Sequence, residues 1–285
     1  MKNILLPTDF SDNSWNAIKY ALKLYKNEPC TFHLFHAYTP IIHNIDYMLM
    51  APAQFGLSDP MEDAAKVSLS KLVAQILNEF GANPDHAFKT IARFDTLASG
   101  VRDLIQELQI HLIVMGTKGA SGAKEVLFGS QTVQVFNTIT CPILAIPSAF
   151  EYDAPHEILF PTDLEINFEN VHLEVLKGLA TTNNSRINVL HVFSGNELTK
   201  AQIDNQNQLA TLFEGAAYLF HDVGAMELTE AINEFQVKHK INLLAMVNNK
   251  HSLFENLFFK NAIRQIGFHL NIPFLVIPNI KSKNS

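Results

Sequence analysis

At 285 residues, the chain is long enough to favour two domains of ordinary size over one. Its 47% hydrophobic and 17% charged content describes a globular chain with ample core and excludes a disordered one. The formal net charge is -7 and no Lys/Arg run exceeds two, so the electrostatic footprint of a nucleic-acid binder is missing.

The chain opens MKNILLPTDFSD, an apolar run too short for a signal peptide and followed at once by charges. No stretch approaches the roughly 20 apolar residues of a membrane helix, so no membrane association is expected. Strands are predicted at Asn3-Pro7, Phe32-Ala37, His86-Ala92, His111-Gly116 and Ile143-Pro147. They are rich in Ile, Leu, Val and Phe without clean alternation, as strands covered on both faces are. Between them lie amphipathic helices. Trp15, Ile18, Ala21 and Leu22 form one stripe. A second helix starts at Asp59-Pro60-Met61-Glu62, with Asp59 as cap and Pro60 at the first helical position. Its stripe is Val67, Leu69, Leu72, Val73, Ile76 and Leu77. Leu97, Val101, Leu104, Ile105 and Leu108 form a third. This alternation gives a parallel sheet with right-handed crossovers. The apolar segment Thr39 to Ser58 is either a lid or partner surface, or an elaborated crossover loop.

The pattern then repeats. Ile4-Leu5-Leu6-Pro7-Thr8-Asp9 recurs as Ile158-Leu159-Phe160-Pro161-Thr162-Asp163, and Leu34-Phe35-His36-Ala37 resembles Val189-Leu190-His191-Val192. Leu112-Ile113-Val114-Met115 resembles Leu243-Leu244-Ala245-Met246, and Pro142-Ile143-Leu144-Ala145-Ile146-Pro147 recurs as Pro273-Phe274-Leu275-Val276-Ile277-Pro278. Four blocks in the same order imply two copies of one domain, at 1-148 and 156-281, joined by the polar linker Ser148 to His156. Each is an open α/β sandwich.

Ligands of open α/β sheets bind beyond the carboxyl ends of the strands. There the fourth strand ends Gly116-Thr117-Lys118-Gly119, and Gly129-Ser130 opens a helix over Gln131-Asn137. Glycine takes positive φ and lets backbone approach a ligand. Successive N–H groups form an anion-binding concavity, and a helix N-terminus adds donors and a positive dipole end. The Ser130 hydroxyl would donate to a phosphate oxygen, with charge from Lys118 and Lys124. The alternative is that these glycines only make tight turns.

These residues carry a resemblance. The chain resembles the universal stress protein family in its tandem form, through Ile4-Asp9, Leu112-Gly119, Gly129-Ser130 and Cys141-Pro147. The resemblance covers both halves, and its motif Gly-x2-Gly-x9-Gly-Ser/Thr is complete in the first. It implies two α/β sandwiches with parallel five-stranded sheets, adenine-nucleotide alpha hydrolase-like, whose final strands pair as a pseudo-dimer. It also implies ATP or a related adenine nucleotide, with or without Mg, in the first half. Pro7, Thr8 and Asp9 would face the adenosine, and Ala37 the base. Met115 and Gly116 would line the floor. Gly119, Gly129, Ser130, Gln131 and Thr132 would hold phosphates and ribose. Lys118 stands where the family usually has His or Arg, which keeps charge but loses stacking or bidentate contact.

In the second half, Val247 and Lys250 replace the two glycines and Lys260-Asn261 replaces Gly-Ser, so no nucleotide is expected there. Asp163 survives, but Asp at a strand end is as readily a helix cap, an ambiguity that Asp9 shares. His36 and His191 are equivalent across the repeat, which argues for a common packing or hydrogen-bond role over a proton role. The 12 histidines show no H-x-x-x-H or HExxH pairing, so no metal site is expected. Cys30 and Cys141 lack ligand spacing and lie beside predicted strands; small buried residues in a reducing, cytoplasmic protein are the expectation over reactive thiols. Beyond Asp9 and Glu125, no base or metal-holding carboxylate flanks the glycine loop. The expectation is a nucleotide-binding stress-response or regulatory protein without fast catalysis. Slow hydrolysis, or autophosphorylation at Ser130 or Ser121, stays open. The alternative is a protein-interaction scaffold of the same fold, and a homodimer or protein partner fits either reading.

Overall fold

The computed structural model describes residues 1–38, 58–117, 129–193, 197–224, 226–249 and 271–279. In the first half, strands β1 (Lys2–Pro7), β2 (Cys30–Tyr38), β3 (His86–Phe94), β4 (Leu112–Gly116) and β5 (Ile143–Ile146) alternate with helices. These are α1 (Asp12–Leu24), α2 (Ser58–Phe80), α3 (Leu97–Leu108) and α4 (Ser130–Thr138). The second half holds β6 (Glu157–Thr162), α5 (Glu174–Asn183), β7 (Arg186–Phe193), α6 (Lys200–Leu212), β8 (Ala217–Gly224), α7 (Leu228–His239), β9 (Leu243–Asn248) and β10 (Phe274–Pro278).

The ten strands among the described residues join one sheet in the order β3-β2-β1-β4-β5-β10-β9-β6-β7-β8. Each half contributes five parallel strands, and β5 and β10 meet antiparallel with Leu144 opposite Leu275. The sheet therefore reads the same from either edge, which is the pairing implied by the resemblance. The inner strands β1, β4, β5 and β10 are buried along nearly their whole length, as helices on both faces require. The edge strands β3 and β8 instead alternate, leaving Phe94 58% and Leu219 47% exposed.

Two core clusters lie on the two faces of the sheet, and each runs through both halves. One includes Phe32, Leu69 and Leu144 of the first half with Phe160, Leu176 and Phe213 of the second. The other joins Phe35, Val101 and Val135 to Phe235, Leu244 and Phe274. The stripes on α1 and α3 are seated largely as expected. On α2 only part of the expected face is inward: Leu69, Leu72 and Ile76 are buried with Ala65, whereas Val67 and Leu77 are 53% and 44% exposed. The helix is also already formed at Ser58, so Asp59 lies in its first turn and is not its cap. The segment 39–57 falls outside the described residues.

The linker is pinned from both halves. Asn16 Nδ2 donates to the carbonyls of Pro147 (3.2 Å) and Phe150 (3.0 Å), and Asn242 Nδ2 donates to Asp153 Oδ2 (2.9 Å) and the Ala154 carbonyl (2.6 Å). Close packing also explains one glycine. A Cβ on Gly100 of α3 would meet Phe35 Cζ at 2.5 Å, and that ring is fully buried. Gly100→Ala is therefore expected to lose about 1–3 kcal/mol by overpacking, despite alanine's better helix propensity, in a urea unfolding measurement.

Candidate functional site

From β1 the chain steps outward to β2 and β3, then returns to β4 on the other side of β1. The carboxyl ends of β1 and β4 thus flank a topological switch point, where open α/β sheets form a crevice. Three segments converge there: the β1–α1 turn, the end of β4 and the start of α4.

The β1–α1 turn is held by its own side chains. Thr8 Oγ1 accepts the Phe10 N–H at 3.0 Å and lies 3.0 Å from Ser14 Oγ. Asp9 Oδ1 accepts from the Ser11 N–H (3.1 Å) and hydroxyl (2.6 Å), and Ser11 caps α1 through the Ser14 N–H. Phe10 takes a left-handed φ of 62°. The second half builds the same turn: Thr162 Oγ1 accepts the Leu164 N–H, Asp163 Oδ1 accepts the Glu165 N–H, and Leu164 has φ 57°. The aspartates therefore share a turn-forming role, with Ser11 and not Asp9 capping the first helix.

On β2, Ala37 is half-buried beside His36, whose Nδ1 lies 2.8 Å from the Thr8 carbonyl and whose ring packs 4.6 Å from Phe10. That carbonyl only accepts, so the bond places the proton on Nδ1. Its counterpart His191 places Nδ1 3.1 Å from the Asp222 carboxylate. The two rings thus both hydrogen-bond through Nδ1.

At β4, alternate residues face opposite ways. Met115 is 5% exposed and packs with Val101 and Val135, so it is core beneath the crevice. Gly116 faces α1, where a Cβ would come within 3.0 Å of the Asn13 side-chain amide. Asn13 is itself buried in the first turn of α1. The glycine is needed for this close approach: neither Gly116 nor Gly129 adopts positive φ.

Thr117 then closes the base of the glycine loop. Its N–H donates to the Ile146 carbonyl (3.1 Å), and its carbonyl accepts the Gly129 N–H at 2.8 Å. Thr132, 3% exposed, donates its hydroxyl to the carbonyls of Gly116 and Thr117, both at 3.3 Å. The chain thus leaves at Thr117 and returns at Gly129; Lys118, Gly119, Ser121, Lys124 and Glu125 lie between, outside the described residues. Two expected contacts change. The Gly129 N–H already has an acceptor, and the Thr132 hydroxyl ties α4 to β4. Replacing Thr132 by Val should cost about 1 kcal/mol in thermal or urea unfolding, the value of its hydrogen bonds at nearly constant shape.

What remains open is the first turn of α4. Gly129 is its cap, with φ -62°, ψ 154° and no side-chain capping bond. The N–H groups of Ser130, Gln131 and Thr132 have no intrahelical acceptor, and among the described residues none accepts from them. Ser130 and Gln131 are exposed. Three donors at the positive end of a helix dipole suit an anion.

The second half differs at the strand end. Val247 pairs with Ile277 as Gly116 pairs with Ile146, so the two positions are equivalent in register, and Val247 is 7% exposed. Lys250, Lys260 and Asn261 lie outside the described residues. Asn13 and Thr117 were not singled out by sequence; nothing in their local pattern marks them, because their roles arise from contacts between α1, β4 and α4.

Both cysteines are buried and unpaired, and burial pushes the Cys30 thiol up to about 11 and the Cys141 thiol up to about 12. Inert packing residues, not nucleophiles, result. Among the described residues no group of three His, Cys, Asp or Glu side chains is placed to hold a metal ion, and no helix is long and apolar enough to cross a membrane.

Comparison with known proteins agrees with this fold. Residues 1–147 match the model of the universal stress protein family. A universal stress protein of Methanocaldococcus jannaschii is 26% identical over 148 residues, which span 51% of this chain and 81% of that protein. A universal stress protein A homolog of Coxiella burnetii is 24% identical over 147 residues, 51% of this chain and 95% of that one. Over nearly the full length, the fold matches a universal stress protein from Archaeoglobus fulgidus with TM-score 0.65 at 17% identity, covering 96% of this chain and 97% of that one. A functionally unknown protein from Pseudomonas aeruginosa gives TM-score 0.61 at 12% identity, covering 98% of this chain and 93% of that one. With its family model spanning just over half the sequence, and the same turn and strand order built again in the remainder, the chain belongs to the universal stress protein family.

Proposed function

We propose that the chain binds one adenine nucleotide, ATP foremost, in the crevice of its first half, and that residues 156-281 keep the fold of residues 1-148 without its site. The observation that carries this reading is the contrast at equivalent strand ends. Gly116 admits the buried Asn13 amide beside three N–H donors that have no acceptor among the described residues, whereas Val247 puts a side chain of its own at the matching position. Ser130, Gln131 and Thr132 offer backbone donors to the phosphates, with Lys118 and Gly119 on the intervening loop. Pro7, Thr8, Asp9 and Ala37 border the adenosine side. Thr8, Asp9 and Thr132 hold the walls in place through bonds of their own. The role is regulatory, in a stress response and in a reducing cytoplasm, and fast chemistry is not part of it. Equilibrium dialysis with labelled ATP, with and without Mg, tests this reading. One nucleotide per chain is expected; no uptake, or two per chain, would overturn it.

A further inference from the structure

A cavity of about 420 Å³ opens at the other end of the first half's strands, where β1 and β4 begin. It lies across the seam between the halves. Ile4, Ile110 and Leu112 form its wall from the first half, and Val175, Gly178 and Leu179 of α5 form its wall from the second. The volume falls within the roughly 300–1,000 Å³ of small-molecule sites, which are likewise mostly apolar with a few polar groups at the edge. Water in such a space finds few partners, so an apolar molecule gains by displacing it.

Gly178 leaves this part of the α5 wall without a side chain. Glycine inside a helix costs about 0.5–1 kcal/mol relative to alanine. Here the usual reasons for it are missing. Its φ is not positive, and a Cβ built on it would meet nothing within 4 Å. Neither backbone strain nor close packing requires glycine; any larger side chain at this position would project into the cavity.

The mouth fixes the kind of guest. Lys2 is paired with Glu28 at 2.5 Å, which neutralises the nearest fixed cation. His172 and Glu174 lie two residues apart on the opposite rim. His111 accepts the Asn3 N–H on Nδ1 at 3.1 Å, so its neutral ring carries the proton on Nε2 and offers one donor. The geometry points to a second ligand site, distinct from the nucleotide crevice, for a small uncharged apolar or aromatic molecule with one hydrogen-bond acceptor. Because its walls come from both halves, the guest clamps the seam and raises the melting temperature as its concentration rises.

The test uses N-phenyl-1-naphthylamine, a neutral probe whose fluorescence rises in apolar surroundings, with the full chain. Saturable 1:1 binding to wild type is expected, with a rise in melting temperature. Gly178→Leu, which fills the cavity and improves helix propensity, should weaken the probe at least tenfold while melting no lower than wild type. Val237→Ala, remote and 83% exposed in the wild type, should bind the probe like wild type. Amide chemical shifts on adding the probe to wild type should move at Ile110, His111, Cys141 and Gly178. Non-saturable fluorescence, undiminished binding by Gly178→Leu, or shifts elsewhere on the chain would overturn the site. The shift map decides alone if Gly178→Leu does not fold.

Discussion

Gly129→Asp is expected to lower affinity for ATP by at least ~100-fold while the ligand-free protein melts at the same temperature or slightly higher, the affinity loss being about 2.7 kcal/mol. The opposite signs come from one place. With φ -62° and ψ 154°, Gly129 has backbone that any residue adopts, and its N–H bond to Thr117 does not depend on its side chain. Aspartate is a better N-cap than glycine by a few tenths of a kcal/mol, and a carboxylate at a helix N-terminus gains about 0.3–1 kcal/mol more. That cap works by accepting from Gln131 or Thr132, the donors assigned to phosphate. It also sets a negative charge near the phosphates, where two unit charges ~4 Å apart repel by about 4 kcal/mol at an effective dielectric of 20. Gly116→Val, which copies the second half, is a poorer probe because its Cβ would displace Asn13 as well. Calorimetric titration beside a thermal melt reads both signs. Wild-type affinity in Gly129→Asp would mean that no phosphate sits at the start of α4.

The parts of this fold visible in the sequence are those that one element dictates by itself. Ile4-Leu5-Leu6 and Ile158-Leu159-Phe160 announce strands covered on both faces because burial on two sides leaves no room for polar alternation. The turn at Thr8-Asp9 and Thr162-Asp163 is equally local, with side chains bonding backbone two residues on. The glycine positions are legible as a pattern, but the reason for them is not. Gly116 is required by Asn13, about a hundred residues away in sequence, and Gly129 by no positive φ at all. The place of Thr132 in the motif is visible in the sequence, whereas the Gly116 and Thr117 carbonyls that occupy its hydroxyl are not. Val67 and Leu77 show the same limit on α2: a helical stripe gives a face, but only the neighbouring strand decides how wide the buried face is. The seam cavity left no sequence signal except Gly178, whose meaning needs the empty space beside it.

Phe274→Ala is expected to destabilise the whole chain by about 3–5 kcal/mol and lower the melting midpoint by roughly 5–15 °C, in a single transition. Phe274 is fully buried on β10 at the seam, where its partner across the antiparallel ladder is Ala145. A small residue opposite leaves the phenyl ring to fill the space between the halves. It does so against Phe136 of α4, edge to face with centroids 6.2 Å apart. Truncation therefore removes a ring from a position where its opposite residue is too small to collapse into the void, which is the condition for a cost at the upper end of the range. The single transition follows from the same packing: both core clusters and the ladder cross the seam, so neither half unfolds without stripping cover from the other. Urea unfolding followed by far-ultraviolet circular dichroism and by Trp15 fluorescence tests this, since Trp15 sits on α1 of the first half. Coincident curves shifted together are expected. A loss below about 1.5 kcal/mol, or a Trp15 curve left in place while the circular dichroism splits into two steps, would show that the halves are separate folding units joined only by the strand ladder.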